Sequence, residues 1–104
     1  MSTPDAVRTA TFRFAVNVTP KEGILDPQGR AVEQSLPHLG VTGVSHVRVG
    51  RRVEMIVEAP DGTAALAIVE RLAGEMLANP LIEQYVVELL AGASSTGAGG
   101  EEEA

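Results

Sequence analysis

The chain contains no cysteine and no tryptophan, and only 3% of its 104 residues are aromatic. Without cysteine it forms no disulfide, no thiolate zinc site, no iron–sulfur cluster and no cysteine nucleophile. It also has no stretch of about 18 apolar residues, and its first ten residues contain no apolar run, so we expect neither a membrane span nor a secretory signal. These absences predict a cytoplasmic domain whose core consists of Val, Leu, Ile and Ala.

Cations are scarce as well, since 8 Lys and Arg stand against 14 Asp and Glu, for a formal net charge of −6. Nucleic acids and anionic membranes attract proteins with a surplus of cations, so we expect neither as a partner. Glu101–Glu103 account for half of that net charge and close a stretch rich in Gly and Ser. The composition predicts a flexible N-terminus over residues 1–10, one domain over residues 11–91 and a disordered tail over residues 92–104.

The spacing of apolar residues within the domain predicts the element order β-α-β-β-α-β. The predicted elements are a strand at 12–18, a helix from Asp26 to Gly40 that Pro37 distorts, strands at 44–49 and 52–58, a helix from Asp61 to Asn79, and a strand at 81–90. The second helix presents the apolar stripe Leu66, Val69, Ala73 and Met76. Gly50 and Arg51 lie between two β-rich runs, which is typical of a tight hairpin.

These elements predict an α+β fold: a four-stranded, mainly antiparallel sheet with two helices on one face, as in ferredoxin-like domains. The opposite face carries Ile56 and Val86 among charged and polar residues. An open sheet face with scattered apolar residues and free edge strands favours self-association.

Residues that carry out chemistry are few and scattered. His38 and His46 have no neighbouring cysteine and no spacing typical of a metal-binding motif, so we expect structural or surface roles for both. No glycine-rich phosphate-binding motif and no nucleophile elbow is present. We therefore predict no catalytic residue, no bound cofactor and no metal site, and interpret the domain as a binding or assembly module.

The loop between the first strand and the first helix, residues 19–29, contains two prolines and two glycines. Turn chemistry and helix capping account for Gly23, Asp26 and Pro27, but not for Lys21, the only lysine in the chain, or for Gln28. A rigid exposed loop beside a helix N-terminus suits contact with an anionic or carbonyl group of a ligand or partner. At this point two explanations of Lys21 and Gln28 remain open: turn structure alone, or recognition of a ligand or partner.

Residues 20–29, PKEGILDPQG, closely resemble the P-K-x-G-[IV]-L-D-P-Q-G signature of the PurS family, the small subunit of phosphoribosylformylglycinamidine synthase in purine biosynthesis. The resemblance continues at 47–51, VRVGR, where the family often has V-R-x-G-K, and at 77–85, LANPLIEQY. Arg51 stands where the family often has lysine and keeps the charge. The matches span about residues 12–90 in the family's order.

This resemblance implies a PurS-like fold and a non-catalytic subunit that forms dimers or tetramers. In the family, a large subunit (PurL) uses ATP and magnesium to activate formylglycinamide ribonucleotide (FGAR), and a glutaminase subunit (PurQ) supplies ammonia. The small subunit bridges the two and binds no cofactor itself. The candidate partner-interface residues that match the family's motifs are Lys21, Gly23, Asp26, Gln28, Gly29, Arg51, Asn79 and Glu83. Helix termination remains the simpler explanation for Asn79.

Two other classes of protein share a small βαββαβ architecture. One is a dimeric regulatory module that senses a small ligand, which a metabolite-induced thermal shift would reveal. The other is a small isomerase or monooxygenase, for which His38, His46 and Tyr85 would be the available residues and turnover by the chain alone the test. Fold analogy alone does not rank these classes.

Overall fold

Three strands and two helices make up residues 8–92, the part of the chain that the computed structural model describes. They are β1 (Ala10–Pro20), α1 (Pro27–Ser35) with a 3₁₀ turn (Leu36–Leu39), β2 (Arg51–Ala59), α2 (Gly62–Leu72) with a π-helical turn (Ala73–Leu77), and β3 (Glu83–Ala91). Most of the predicted flexible N-terminus and tail lies outside the described residues. The α+β class is confirmed.

The strands form one antiparallel sheet in the order β2-β1-β3, so the prediction of four strands is wrong. Residues 44–49 form no strand, because the chain does not reverse at Gly50 and Arg51. A two-residue hairpin turn needs positive φ angles, and within residues 8–92 the positive φ angles fall on three other glycines and on His46. Arg51 instead begins β2 opposite Val18.

The core lies between α2 and one face of the sheet. It contains four alternating residues of β1 (Phe12, Phe14, Val16 and Val18), two residues of β2 (Val57 and Ala59), and Ala65, Val69, Ala73 and Ala78 from α2 and the segment after it. The predicted period-2 burial of β1 is thus confirmed. The predicted α2 stripe is confirmed at Val69 and Ala73, which are buried. It is wrong at Leu66, which is 43% exposed because Ala65 faces the core in its place, and at Met76, which is 75% exposed. Met76 lies in the π-helical turn, whose extra residue shifts this side chain out of the stripe.

The first helix lies apart from this core, although both helices were predicted on one sheet face. Gly29 is the only buried residue of α1, and no α1 residue belongs to the core cluster. We call residues 21–50, which include α1, the arm. Leu25 and Leu39 of the arm are 69% and 74% exposed.

The helix predicted from Asp26 to Gly40 corresponds to α1 together with the 3₁₀ turn that follows it, so α1 itself ends earlier, at Ser35. Asp26 caps its N-terminus ahead of Pro27, as expected for a helix whose first residue is proline. Pro37 lies in the 3₁₀ turn that follows, and Gly40, with φ 72°, ends it. Among residues 8–92 no helix has the length and apolar character needed to cross a membrane.

Candidate functional site

The three segments singled out by their sequence pattern come together around one open groove of about 620 Å³. Its walls come from the loop at 20–28, from the approach to β2 at 49–51, and from Ile82 and Glu83 at the start of β3. Polar and apolar groups line it together. Because the segments are far apart in sequence, their convergence depends on the fold.

Asp26 joins the first two segments through its carboxylate. One oxygen, Oδ1, accepts a hydrogen bond from the Gly29 amide at 2.9 Å and so caps α1. The other, Oδ2, accepts from the Val49 amide at 2.8 Å. These two amide donors lower the pKa of Asp26, so it is ionised at neutral pH. A single side chain thereby fixes the helix start against the segment before β2.

Glu33, about two helical turns after Asp26, holds the same segment at a second point. Its Oε2 accepts a hydrogen bond from the Val47 amide at 2.7 Å. The carboxylates of Asp26 and Glu33 thus accept hydrogen bonds from the amides of Val49 and Val47. In a sheet, the carbonyl groups of a neighbouring strand would accept from such alternate amides. The Val47 carbonyl oxygen also comes so close to Gly29 that a Cβ atom at that position would overlap it. Glycine at position 29 is therefore a packing requirement.

Arg51 ties the start of β2 to the third segment. Its guanidinium donates to both carboxylate oxygens of Glu83, each at 2.8 Å, and also to the Leu77 carbonyl oxygen. The Glu83 side chain is 17% exposed, against 50% for Arg51. The pairing lowers the pKa of Glu83 to about 2, with the Arg51 hydrogen bonds as the main cause and the Asn79 amide as the second.

Residues 77–83, which we call the corner, connect the end of α2 to β3. Within it, the Asn79 amide donates to Glu83 Oε1 at 2.7 Å and Asn79 Oδ1 accepts from the Leu81 amide at 3.1 Å. The Asn79 carbonyl accepts from the Ile82 and Glu83 amides at 3.0 and 2.7 Å. Every amide N–H from Asn79 to Glu83 is therefore bonded, since Pro80 has none. Asn79 does more than end a helix: it organises the turn that follows.

The remaining predicted residues lie on the 20–28 wall or next to it. The Lys21 amide donates to the Ile82 carbonyl at 2.9 Å, which fastens the loop to the corner, while the Lys21 side chain is exposed. Gly23, with φ 82°, takes the left-handed turn conformation that favours glycine. Gln28 is exposed and lines the groove.

The predicted interface residues other than Gly23 thus lie in the groove walls or in the contacts that hold the walls together. Two groups among them differ. Lys21 and Gln28 present side chains to solvent. The polar atoms of Asp26, Glu83 and Arg51 are largely engaged within the chain. Carboxylates that are kept ionised by several donors are poor proton donors at neutral pH, so the arrangement suits a shaped binding surface better than acid–base chemistry.

The residues available to a catalytic alternative are not assembled into a set. His38 lies exposed on the 3₁₀ turn, and His46 is exposed with its Nδ1 3.2 Å from Ser45 Oγ. The Tyr85 hydroxyl donates to Glu70 of α2 at 3.2 Å, and burial, followed by this contact, raises its pKa. Across residues 8–92 no three His, Cys, Asp or Glu side chains are grouped as a metal site would need.

Sequence reasoning missed two residues of the site. Glu33 was not among the predicted site residues, because its partner lies 14 residues away and nothing local signals the contact. Leu81 was placed inside the last strand, whereas it lies on the corner before β3 and is 82% exposed. The proline that precedes Leu81 was a usable signal, because proline favours a turn or an edge over a regular ladder.

Comparisons with known proteins place this geometry in a family. Residues 13–91 match the PurS model, described as phosphoribosylformylglycinamidine (FGAM) synthase. The chain belongs to the PurS family. It is 38% identical over 81 residues to the phosphoribosylformylglycinamidine synthase subunit PurS of Synechocystis, covering 78% of this chain and 81% of that protein.

Solved structures agree with this assignment. The crystal structure of the PurS subunit from Thermotoga maritima matches 80% of this chain and 95% of its own, with a TM-score of 0.73 and 31% identity. A chain in the structure of PurLQS from the same organism matches 77% of this chain and 98% of its own, with a TM-score of 0.71 and 32% identity. The expected PurS-like fold is therefore confirmed, with three strands in this chain.

Proposed function

We propose that this chain is the non-catalytic small subunit of phosphoribosylformylglycinamidine synthase, where it bridges PurL and PurQ and supports ammonia transfer from glutamine to FGAR. The likeness of nearly the whole described chain to a chain of the PurLQS structure is the observation that carries this proposal. In this role the chain binds neither ATP nor magnesium, which act on the large subunit, and works in the cytoplasm.

The groove supports a bridging role because its walls are rigid and outward-facing. Internal hydrogen bonds to Asp26, Asn79 and Glu83 fix the walls before any partner arrives. A surface that is ordered in advance loses little conformational entropy on binding, which favours affinity. Holding two active sites in a fixed relation raises the effective concentration of the transferred molecule at the second site. We therefore take the groove as the surface that contacts a partner subunit.

The decisive experiment measures FGAM formation by matched PurL and PurQ subunits with and without this chain. Glutamine is the nitrogen source in one series and ammonium in the other. We expect the chain to restore glutamine-dependent turnover while ammonium-driven turnover changes little. No effect on either series would contradict the proposal and would direct attention to the ligand-sensing alternative.

Substitution of the exposed Lys21 side chain tests directly whether the groove contacts a partner subunit. Lys21→Ala should weaken assembly with the partner subunits by roughly tenfold if the ammonium pairs with a partner carboxylate that becomes desolvated. Lys21→Arg keeps the charge and serves as the matched control. Assembly of Lys21→Ala with unchanged affinity, measured by titration of the labelled chain, would exclude Lys21 from the interface.

Self-association is a further part of the proposal. On the sheet face away from α2, Ile56 and Val86 are 68% and 65% exposed, and the outer edges of β2 and β3 are unpaired within residues 8–92. A second copy that covers this face would bury both side chains. Sedimentation equilibrium should show that Ile56→Asp shifts the chain towards monomer, whereas Ile68→Asp on α2 does not. Equal effects of the two variants would count against this face.

A further inference from the structure

We draw no further inference here: the strongest candidate, the apolar surface patch around Leu89 of β3, which pairs with Phe14 on the sheet face that packs against α2 and is 59% exposed, carries nothing because nothing in the structure shows what covers it.

Discussion

The sheet with α2 and the arm are stabilised by different forces. The sheet and α2 enclose a core of apolar residues, among them Val16 and Val69, which are fully buried. The arm buries one residue of α1, Gly29, and is held by carboxylates that accept backbone amides. Hydrophobic burial thus stabilises the first region and directional hydrogen bonds shape the second. A region of the second kind keeps a defined form while leaving its apolar side chains available to a partner.

The largest expected effect is the loss of a core aromatic ring. Phe14 is 3% exposed between the sheet and α2, so Phe14→Ala should lower the free energy of unfolding by about 3–5 kcal/mol. Leu39→Ala removes a side chain that is 74% exposed on the arm and should change it by no more than about 0.5 kcal/mol. Urea unfolding of both variants measures the difference. A Leu39→Ala cost similar to that of Phe14→Ala would show that the arm shares the core.

The next effect is confined to the arm. A Cβ atom on Gly29 would overlap the Val47 carbonyl oxygen, so Gly29→Ala should displace residues 47–49 from α1. Gly62→Ala is the matched control, because its Cβ would lie 3.7 Å from Phe12, an ordinary contact. Hydrogen exchange should show faster exchange at Val47 and Val49 in Gly29→Ala alone. Global unfolding of Gly29→Ala would contradict the separation of the two regions.

A smaller effect is expected from Glu33→Ala, which removes only the acceptor of the Val47 amide. One hydrogen bond contributes about 1 kcal/mol, and because the arm lies apart from the core, its loss should appear as local opening of the arm with the midpoint of thermal unfolding of the core little changed. Exchange at Val47 should rise, while Val49 stays protected by Asp26. Loss of protection at both amides would mean that the two carboxylates act as one unit.

The smallest expected effect is on the stability of the chain at acidic pH. The pKa of Glu83 falls from 4.5 to about 2 on folding, so the folded state binds the Glu83 proton more weakly than the unfolded state. The stability that this carboxylate contributes is complete above pH 4.5 and is lost as the pH falls towards 2. Glu83→Gln should therefore be less stable than wild type at pH 7, and the difference should shrink by pH 2–3. A difference that is constant with pH would assign the effect to packing instead.

The fold could be predicted better for the sheet with α2 than for the arm. The period-2 pattern of residues 12–18 and the capping pair Asp26-Pro27 are local signals, and both gave the correct element. The strand at 44–49 was wrong because its valines read as β-forming, while the backbone there bonds to Asp26 and Glu33 side chains instead of a strand. Burial patterns reveal which residues meet a core, and they carry no information on contacts between a carboxylate and a distant amide.

The sequence predicted which segments form the site, but only in part which residue of each segment faces a partner and which supports the surface. The resemblance at residues 20–29 and 77–85 named the walls of the groove before their convergence was known. It did not separate residues that face solvent, such as Lys21, from residues that support the walls, such as Arg51. That distinction depends on distances between elements far apart in the chain.

Hydrogen exchange of the chain, alone and assembled with PurL and PurQ, tests most directly whether the groove is the partner-binding surface. Amides at 20–29 and 79–83 report on the groove, and amides of α2 report on a surface outside it. We expect added protection on assembly at 20–29 and 79–83, with α2 unchanged. Added protection on α2 with none at the groove would contradict the account.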